Sequence, residues 1–289
     1  MTRDNTNTPA GEGRSPSSQV GLIAAATVLA LIVVASVIVF ATRHHGGSDN
    51  STASPTTTTT APPAPSPDPA SDGFATPTVD IFGRRVDLPT NPSGQVLAQD
   101  ASQHKPTDSD WLTAVPVGLR RRGGWQQVHG AVVPFSTSDG PTHIVDGAAV
   151  GYAHTPQGAA LAAAYTFYQI VARPADLAMI QVRSVLPTVD REQFDAGVRS
   201  GKVPMQMPDS ITRFLVASDA FKIDQYSDDF CIVRLAMRGP ASADGSPTWT
   251  TGPLPMVWAS GDWKLRFPGV AGAQVPTETI NDLVGWTQW

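Results

Sequence analysis

The sequence predicts an α+β fold in which helices pack on a curved, cone-like antiparallel sheet, behind an N-terminal transmembrane helix and a flexible linker. Three observations predict this fold: an uncharged apolar run near the N-terminus, a Ser/Thr/Pro tract directly after it, and a C-terminal half in which helical patterns precede strand patterns. Helices followed by a run of strands indicate an α+β domain, because an α/β domain alternates the two kinds of element.

The apolar run Val20–Ala41 contains no charged residue. At 1.5 Å per residue it can cross a hydrocarbon core of about 30 Å. A cleaved signal peptide is the alternative, but the run is longer than the apolar region of a signal, and the leader balances its arginines against Asp4 and Glu12. The sequence therefore predicts a short tail at residues 1–19 and an uncleaved membrane helix at 20–42.

Residues 43–77 form a Ser/Thr/Pro-rich linker with few apolar side chains to bury, so we expect this stretch to be disordered. The positive charges that flank the membrane run are nearly balanced, and the positive-inside rule therefore does not decide the orientation. The stalk-like linker favours a cytoplasmic N-terminus and an extracytoplasmic body. We expect a single-pass protein of the cell membrane.

The body divides into an irregular lead-in at residues 78–110 and an α+β domain at 111–289, with one or two short strands before the first helix. The first helix is predicted from Pro156 to about Ala172. Thr155 is suited to the N-cap position, and proline is favoured at the first helical position. Alanines on most faces of this helix would allow it to lie close against a sheet.

Two further helices are predicted, in PADLAMIQVRSVLP and in VDREQFDAGVRSGK, where Gly201 is a plausible stop. Four extended segments follow them: Ile211–Ser227, Phe230–Gly239, Thr248–Ser260 and Asp262–Phe267. The last segment alternates apolar and basic side chains from Trp263 onward, which is typical of a strand with one buried face. Cys231 is the single cysteine, so no internal disulfide is expected, and its setting predicts a buried strand position.

The runs GYAHTPQGAALAAAY, WASGDWKLRFP and GWTQW resemble an actinobacterial family of single-pass membrane proteins linked to integrative and conjugative elements. The resemblance covers roughly Trp111 to Trp289. The domain order is similar to that of type IV secretion assembly factors, which have nuclear-transport-factor-2-like domains. The resemblance implies a role in an envelope complex, although the lead-in and the stretch before Gly151 depart from the compact form of that fold.

Catalysis is not predicted, because the titratable side chains form no convincing acid–base pair. The side chains considered were His143, Asp146, His154, Tyr165, Asp190 and Asp195. Nucleophile motifs, phosphate-binding loops and metal-ligand spacings do not occur in the sequence. We therefore predict no catalytic, cofactor-binding or metal-binding residue.

Arginines 120–122 lie beside Trp125, which raises the question of nucleic-acid binding. A formal net charge of −5 argues against a broad phosphate-binding face, so no stable nucleic-acid binding is expected. An exposed loop or a partner-docking patch is the simpler interpretation. The predicted partner or ligand contacts are Arg120, Arg121, Arg122, Trp125, His154, Tyr165, Tyr168, Trp286 and Trp289.

The function predicted from these observations is a membrane-anchored, non-enzymatic assembly component of an envelope complex, such as a conjugative or type IV-like secretion channel. Its partners would be the membrane and other envelope or channel proteins, and a homo-oligomer formed through the outer sheet face is left open. The alternative is a ligand-binding or catalytic cone pocket lined by Tyr165 or Tyr168. A wall-facing sensor is a third interpretation.

Overall fold

The computed structural model describes residues 73–201, 203–267 and 276–289. Within these ranges, no helix has both the length and the apolar character that crossing a membrane requires. The predicted tail, the predicted membrane helix and the linker up to residue 72 lie outside the described residues. The described part is a mixed α+β structure with a sheet-rich C-terminal half.

Among the described residues, three antiparallel hairpins precede the first helix. They pair β1 (Thr78–Val79) with β2 (Arg85–Val86), β3 (Trp125–Val128) with β4 (Ala131–Pro134), and β5 (His143–Val145) with β6 (Ala148–Val150). The lead-in, predicted to be irregular, contributes the first hairpin and is bonded to the body. The Asp87 amide donates to the Trp125 carbonyl at 2.9 Å.

Helix α1 (Pro156–Ala172) has the predicted bounds. The Thr155 hydroxyl accepts a hydrogen bond from the Gly158 amide at 2.9 Å, which satisfies one of the free amides of the first turn. The helix is enclosed on most of its circumference, and it contacts β4 as well as four later strands: Ala220–Tyr226, Phe230–Arg238, Pro253–Ala259 and Asp262–Arg266. Its alanines are fully buried, because the neighbouring elements approach them closely.

Helices α2 (Leu177–Arg183) and α3 (Thr188–Arg199) confirm the second and third predicted helices. A short helix, α4 (Asp209–Thr212), lies where the sequence predicted an extended segment from Ile211. The extended prediction is wrong there, because Pro208 opens a helical turn in which its carbonyl accepts from the Ile211 amide at 2.8 Å. The strand in this segment begins only at Ala220.

Over residues 184–267 and 276–289, the main sheet has eight described strands in the order β13-β10-β9-β11-β12-β7, with β8 pairing β9 and β14 pairing β8. Its strands are β7 (Ser184–Val185), β8 (Ala220–Tyr226), β9 (Phe230–Arg238), β10 (Trp249–Thr251), β11 (Pro253–Ala259), β12 (Asp262–Arg266), β13 (Glu278–Ile280) and β14 (Thr287–Gln288). The pairing is antiparallel, as predicted, except that β7 runs parallel to β12. The alternation along β12 is confirmed, since Trp263 and Leu265 are buried and Arg266 is exposed.

Cys231 is buried in β9, and this burial raises the pKa of its thiol to about 12.

A buried ion pair joins α2 to β12. The Arg183 guanidinium, which is fully buried, donates to Asp262 at 2.5 Å and to the Trp263 carbonyl at 2.7 Å. Asp262 also accepts from the Gly151 amide at 3.0 Å, and the guanidinium lies 4.8 Å from the centre of the Tyr152 ring. These contacts, defined here as the Arg183–Asp262 pair, fix the second helix against the sheet.

Candidate functional site

The predicted arginine run lies on an exposed turn before β3. The Arg122 guanidinium lies 5.7 Å from the centre of the Phe74 ring and donates to the Phe74 carbonyl at 3.4 Å. Arg120 and Arg121 are exposed, and neither guanidinium forms an ion pair within the described ranges. The turn therefore presents positive charge to solvent.

Three predicted contact residues, Arg120, Trp125 and Trp289, line one groove with a volume of about 610 Å³. The rings of Trp125 and Trp289 meet edge to face, with their centroids 5.5 Å apart. The Trp289 indole donates to the Ser218 carbonyl at 2.9 Å, which holds the ring in place. The remaining walls come from the β1–β2 hairpin, the start of β8 and the segments around β10 and β14. This surface is called the groove below.

Asp219 organises one wall of the groove. Its Oδ1 accepts from Arg84 at 2.7 Å, and its Oδ2 accepts from Arg238 Nη2 at 2.5 Å and from the Trp249 indole at 2.7 Å. The Arg238 guanidinium also lies over the Trp249 ring at 5.6 Å and over the Phe82 ring at 5.2 Å. These contacts are called the Asp219 clamp. They bring together three segments that are far apart in the chain.

The carboxylates near the groove are largely engaged by donors of the chain itself. Asp80 accepts from Arg84 Nε at 2.7 Å, and Asp87 accepts from Arg85 at 2.7 Å and from the Gly123 amide at 2.7 Å. Asp282, which also lines the groove, is exposed and accepts from the Val284 amide. Arg120, by contrast, has no carboxylate partner among the described residues. The lining has four arginines, Arg84, Arg85, Arg120 and Arg238, against three aspartates, Asp80, Asp219 and Asp282, so its net charge is positive.

Tyr165 and Tyr168 lie in the core and do not line the groove. The Tyr165 hydroxyl accepts from the Ala149 amide at 2.9 Å, and burial raises the pKa of both phenols above their usual value. Both rings pack inside the same hydrophobic cluster as α1. Tyr165 and Tyr168 therefore contact core residues, whereas the sequence predicted contacts with a partner or ligand.

The other predicted contacts lie apart from the groove lining. His154 stacks face to face on Trp258, with centroids 4.0 Å apart and planes 9° apart, and its Nε2 contacts the Asp228 carbonyl. Trp286 is half-buried against the cluster that contains Ala220 and Trp249. The nine predicted residues thus divide among the groove, the arginine turn, the core, the start of α1 and this smaller cluster.

The candidate acids and bases are also dispersed over the fold. His143 lies in β5, where its Nδ1 is 2.9 Å from the Thr142 hydroxyl, and Asp146 lies in the β5–β6 turn with a φ of 49°. Asp195 lies in α3, and the side chain of Asp190 is outside the described residues.

Asp139 is a buried carboxyl that the sequence did not single out. It accepts from Ser138 at 2.5 Å and from Thr155 at 2.7 Å, and burial raises its pKa. Because Thr155 caps α1, this cluster supports the start of that helix.

An exposed cluster in the lead-in has the ligand types of a metal site. The ligand atoms of His104, Asp108 and Asp110 lie within 4.8 Å of one another. The His104 Nδ1 is 3.3 Å from Asp110 and 3.7 Å from Asp108, and exposed acidic groups commonly meet a neighbouring side chain in this way without an ion. We assign no metal-binding role to the cluster.

Sequence reasoning missed Asp219, Arg238 and Trp249 as parts of the candidate site. Their positions gave no signal of a shared surface, since each belongs to a different strand region of the predicted sheet. Arg84 lies in a basic pair, Arg84–Arg85, upstream of the arginine run, and this pair alone does not indicate a site. The one available signal was the crowding of tryptophans into the last part of the chain.

Comparison with known proteins gives one family match. The sequence model of a family described as "Domain of unknown function (DUF8175)" matches residues 87–288. No curated protein and no solved structure matches the chain. The matched region contains Arg120, Trp125 and Asp219, whereas Arg84 of the Asp219 clamp lies just before it.

Proposed function

This chain belongs to the DUF8175 family, and we propose that it is a membrane-anchored, non-enzymatic assembly component of an envelope complex. One observation carries the proposal: the groove collects Arg120, Trp125 and Trp289, which the sequence had predicted separately as contact residues. A surface that joins two tryptophans to an exposed arginine has the composition of an interaction hot spot.

The Asp219 clamp supports this role by ordering the groove before a partner arrives. Arg84, Arg238 and Trp249 are held by the same carboxylate, so their side chains lose little freedom on binding. Each immobilised side chain would otherwise cost about 0.5–1.5 kcal/mol. A preorganised wall beside an exposed cation, Arg120, suits recognition of a protein segment.

The membrane part of the proposal rests on the sequence. The run Val20–Ala41 would anchor the chain, with a cytoplasmic N-terminus and an extracytoplasmic domain. The resemblance to actinobacterial proteins of conjugative elements, and to nuclear-transport-factor-2-like secretion factors, suggests a conjugative or type IV-like channel as the complex. Other channel proteins, the membrane and further copies of the chain are the proposed partners.

The test is crosslinking of the full-length protein in its native membrane, followed by capture and mass spectrometry. Arg120→Glu should lower capture of the main partner about tenfold, since a hot-spot contact exceeds about 1.4 kcal/mol. Arg121→Glu is the matched control, because it makes the same charge change one residue away and does not line the groove. Equal capture by both variants, or recovery of an isolated monomer, would contradict the proposal.

A small-ligand site is the second candidate, favoured by the volume of the groove. About 610 Å³ lies within the range of small-molecule pockets, about 300–1,000 Å³. This site differs from the cone pocket predicted around Tyr165 and Tyr168, since neither residue lines the groove. A ligand that raises the melting temperature of the wild type but not of Trp125→Ala would favour this function.

A further inference from the structure

We propose that the groove recognises an extended, proline-rich segment that carries an acidic residue, and that its occupant in the free protein is the chain's own segment Pro62–Pro69. The inference rests on the proposed function in one respect only, namely that the groove is a docking surface. It specifies the chemistry of the docked segment, and it identifies the linker as a competitor of the partner for the groove.

The groove offers the two features that such a segment needs. Trp125 and Trp289 provide an aromatic wall, and proline-rich segments in the polyproline II conformation dock on aromatic-lined grooves at low entropic cost. Arg120 provides a cation at the rim that has no carboxylate partner among the described residues. A docked segment would therefore be favoured if it carried a carboxylate close to its prolines.

The linker contains a segment with this composition. The stretch PPAPSPDP, Pro62–Pro69, places five prolines around a single acidic residue, Asp68. In our proposal the prolines lie against the two tryptophans and the Asp68 carboxylate pairs with Arg120.

The described chain begins beside the arginine turn, which supplies Arg120 to the groove. Phe74 is held beneath Arg122, which is only two residues from Arg120. Asp68 precedes Gly73 by five residues, which can span about 17 Å when extended. The segment is thus tethered within reach of the rim, and a short tether gives an effective concentration in the millimolar range.

Docking of this segment would shorten the stalk and cover the surface on which a partner binds. A partner with a proline-rich, acidic segment of its own would then have to displace the linker. The groove would be a competitive site, in which occupancy by the linker sets how much partner is needed for assembly.

Fluorescence quenching in the detergent-solubilised full-length protein tests the docking. Ser66→Cys would be labelled with bimane, a dye that tryptophan quenches at contact range, and the same label at Asp49→Cys would be the reference in the same linker. Cys231 is buried, so labelling of the wild type measures the background. With a millimolar effective concentration, we expect about twofold lower emission at position 66 than at position 49.

Arg120→Glu should restore the emission at position 66, and Arg121→Glu should leave it quenched. Equal emission at positions 66 and 49, or quenching that survives Arg120→Glu, would overturn the proposal. A Trp125→Phe variant should also raise the emission at position 66, because it removes one quencher while keeping an aromatic ring in the wall.

A capture experiment separates this inference from the proposed function. Replacing the prolines at 62, 63, 65 and 67 by serine should increase capture of the partner from native membranes about twofold, because the competing segment is weakened. Quenching at position 66 without any partner capture would contradict the proposed function alone. Capture that depends on Arg120 without quenching at position 66 would contradict the linker docking alone.

Discussion

The Arg183–Asp262 pair and the Asp219 clamp use the same chemistry in two different surroundings. The two aspartate side chains are equally exposed, at 10%, but Arg183 is 0% exposed whereas Arg84 and Arg238 are 35% and 34% exposed. The buried pair is enclosed by backbone donors of the Gly151–Tyr152 loop and by the Trp263 carbonyl of β12. The clamp keeps its arginines at the wall of the groove.

The difference separates a structural ion pair from an interaction surface. A buried charge must have its hydrogen bonds satisfied inside the protein, so removal of one partner is strongly destabilising. The arginines of the clamp remain partly solvated when their partner is lost, so each of these pairs contributes less to stability than the buried pair, although the Asp219 carboxylate itself is largely enclosed by three donors. The four predictions below test this contrast, from the largest expected effect on stability to the smallest.

Arg183→Met should lower the free energy of unfolding by about 3–5 kcal/mol, because it leaves Asp262 buried without its cation. Chemical denaturation of the folded protein measures the change. Arg199→Met, at an exposed position of α3, is the control and should change stability by less than about 0.5 kcal/mol. If both variants lost the same free energy of unfolding, the Arg183–Asp262 pair would contribute no more to stability than an exposed arginine does.

Asp219→Asn should cost about 2 kcal/mol, because one carboxylate binds three donor side chains and an amide oxygen accepts fewer of them. The same variant should weaken partner capture, since the wall of the groove loses its order. Asp224→Asn is the matched control, as Asp224 pairs with Arg234 in an exposed position. If Asp224→Asn cost as much as Asp219→Asn, the clamp would be no more than an ordinary surface pair.

His129 offers an intermediate case, because it lies half-buried near the Arg173–Asp176 pair. Desolvation, aided by the Arg173 charge, lowers the pKa of His129 to about 4. Since the folded state disfavours the proton, this contribution is present above the ordinary pKa of about 6.5 and is lost as the pH falls toward 4.

We expect the wild type to lose about 1 kcal/mol relative to His129→Asn across this pH range, after allowance for partial solvent screening. Asparagine is suited to the position, because residue 129 has a φ of 49°. Denaturation of both proteins from pH 7 to pH 4 measures the difference. If the two proteins lost stability equally between pH 7 and pH 4, the folded state would not lower the pKa of His129.

Arg120→Glu should change the free energy of unfolding by less than about 0.5 kcal/mol, because its guanidinium is exposed. Thermal unfolding of the variant beside the wild type measures this. A larger loss would assign Arg120 to the fold and would remove the reason to regard it as a docking residue.

The main helix and strand β12 could be predicted because their signals are local. Thr155 followed by Pro156 specifies a helix start, and alternation along Asp262–Arg266 specifies a half-buried strand. The extended prediction at Ile211 failed because a single turn after Pro208 lacks the length that produces a periodic pattern.

The candidate site was predicted only in part. Arg120, Trp125 and Trp289 were recognised by their residue types, but nothing local indicated that they share a surface. The sequence predicts only that Asp219 lies in an extended segment and that Arg183 lies in a helix. Contacts between residues tens or hundreds of positions apart depend on the topology of the sheet, which periodicity does not encode.

The enclosure of α1 has a consequence for how the family can diverge. Ala159, Ala162 and Ala163 are each 0% exposed and lie against closely packed neighbours, so a larger side chain would force the surrounding elements apart. Selection at these positions therefore favours small side chains, whatever the function of the domain. The exposed turn that carries Arg120 is under no such limit, and related proteins can acquire new binding preferences there while inheriting the same scaffold.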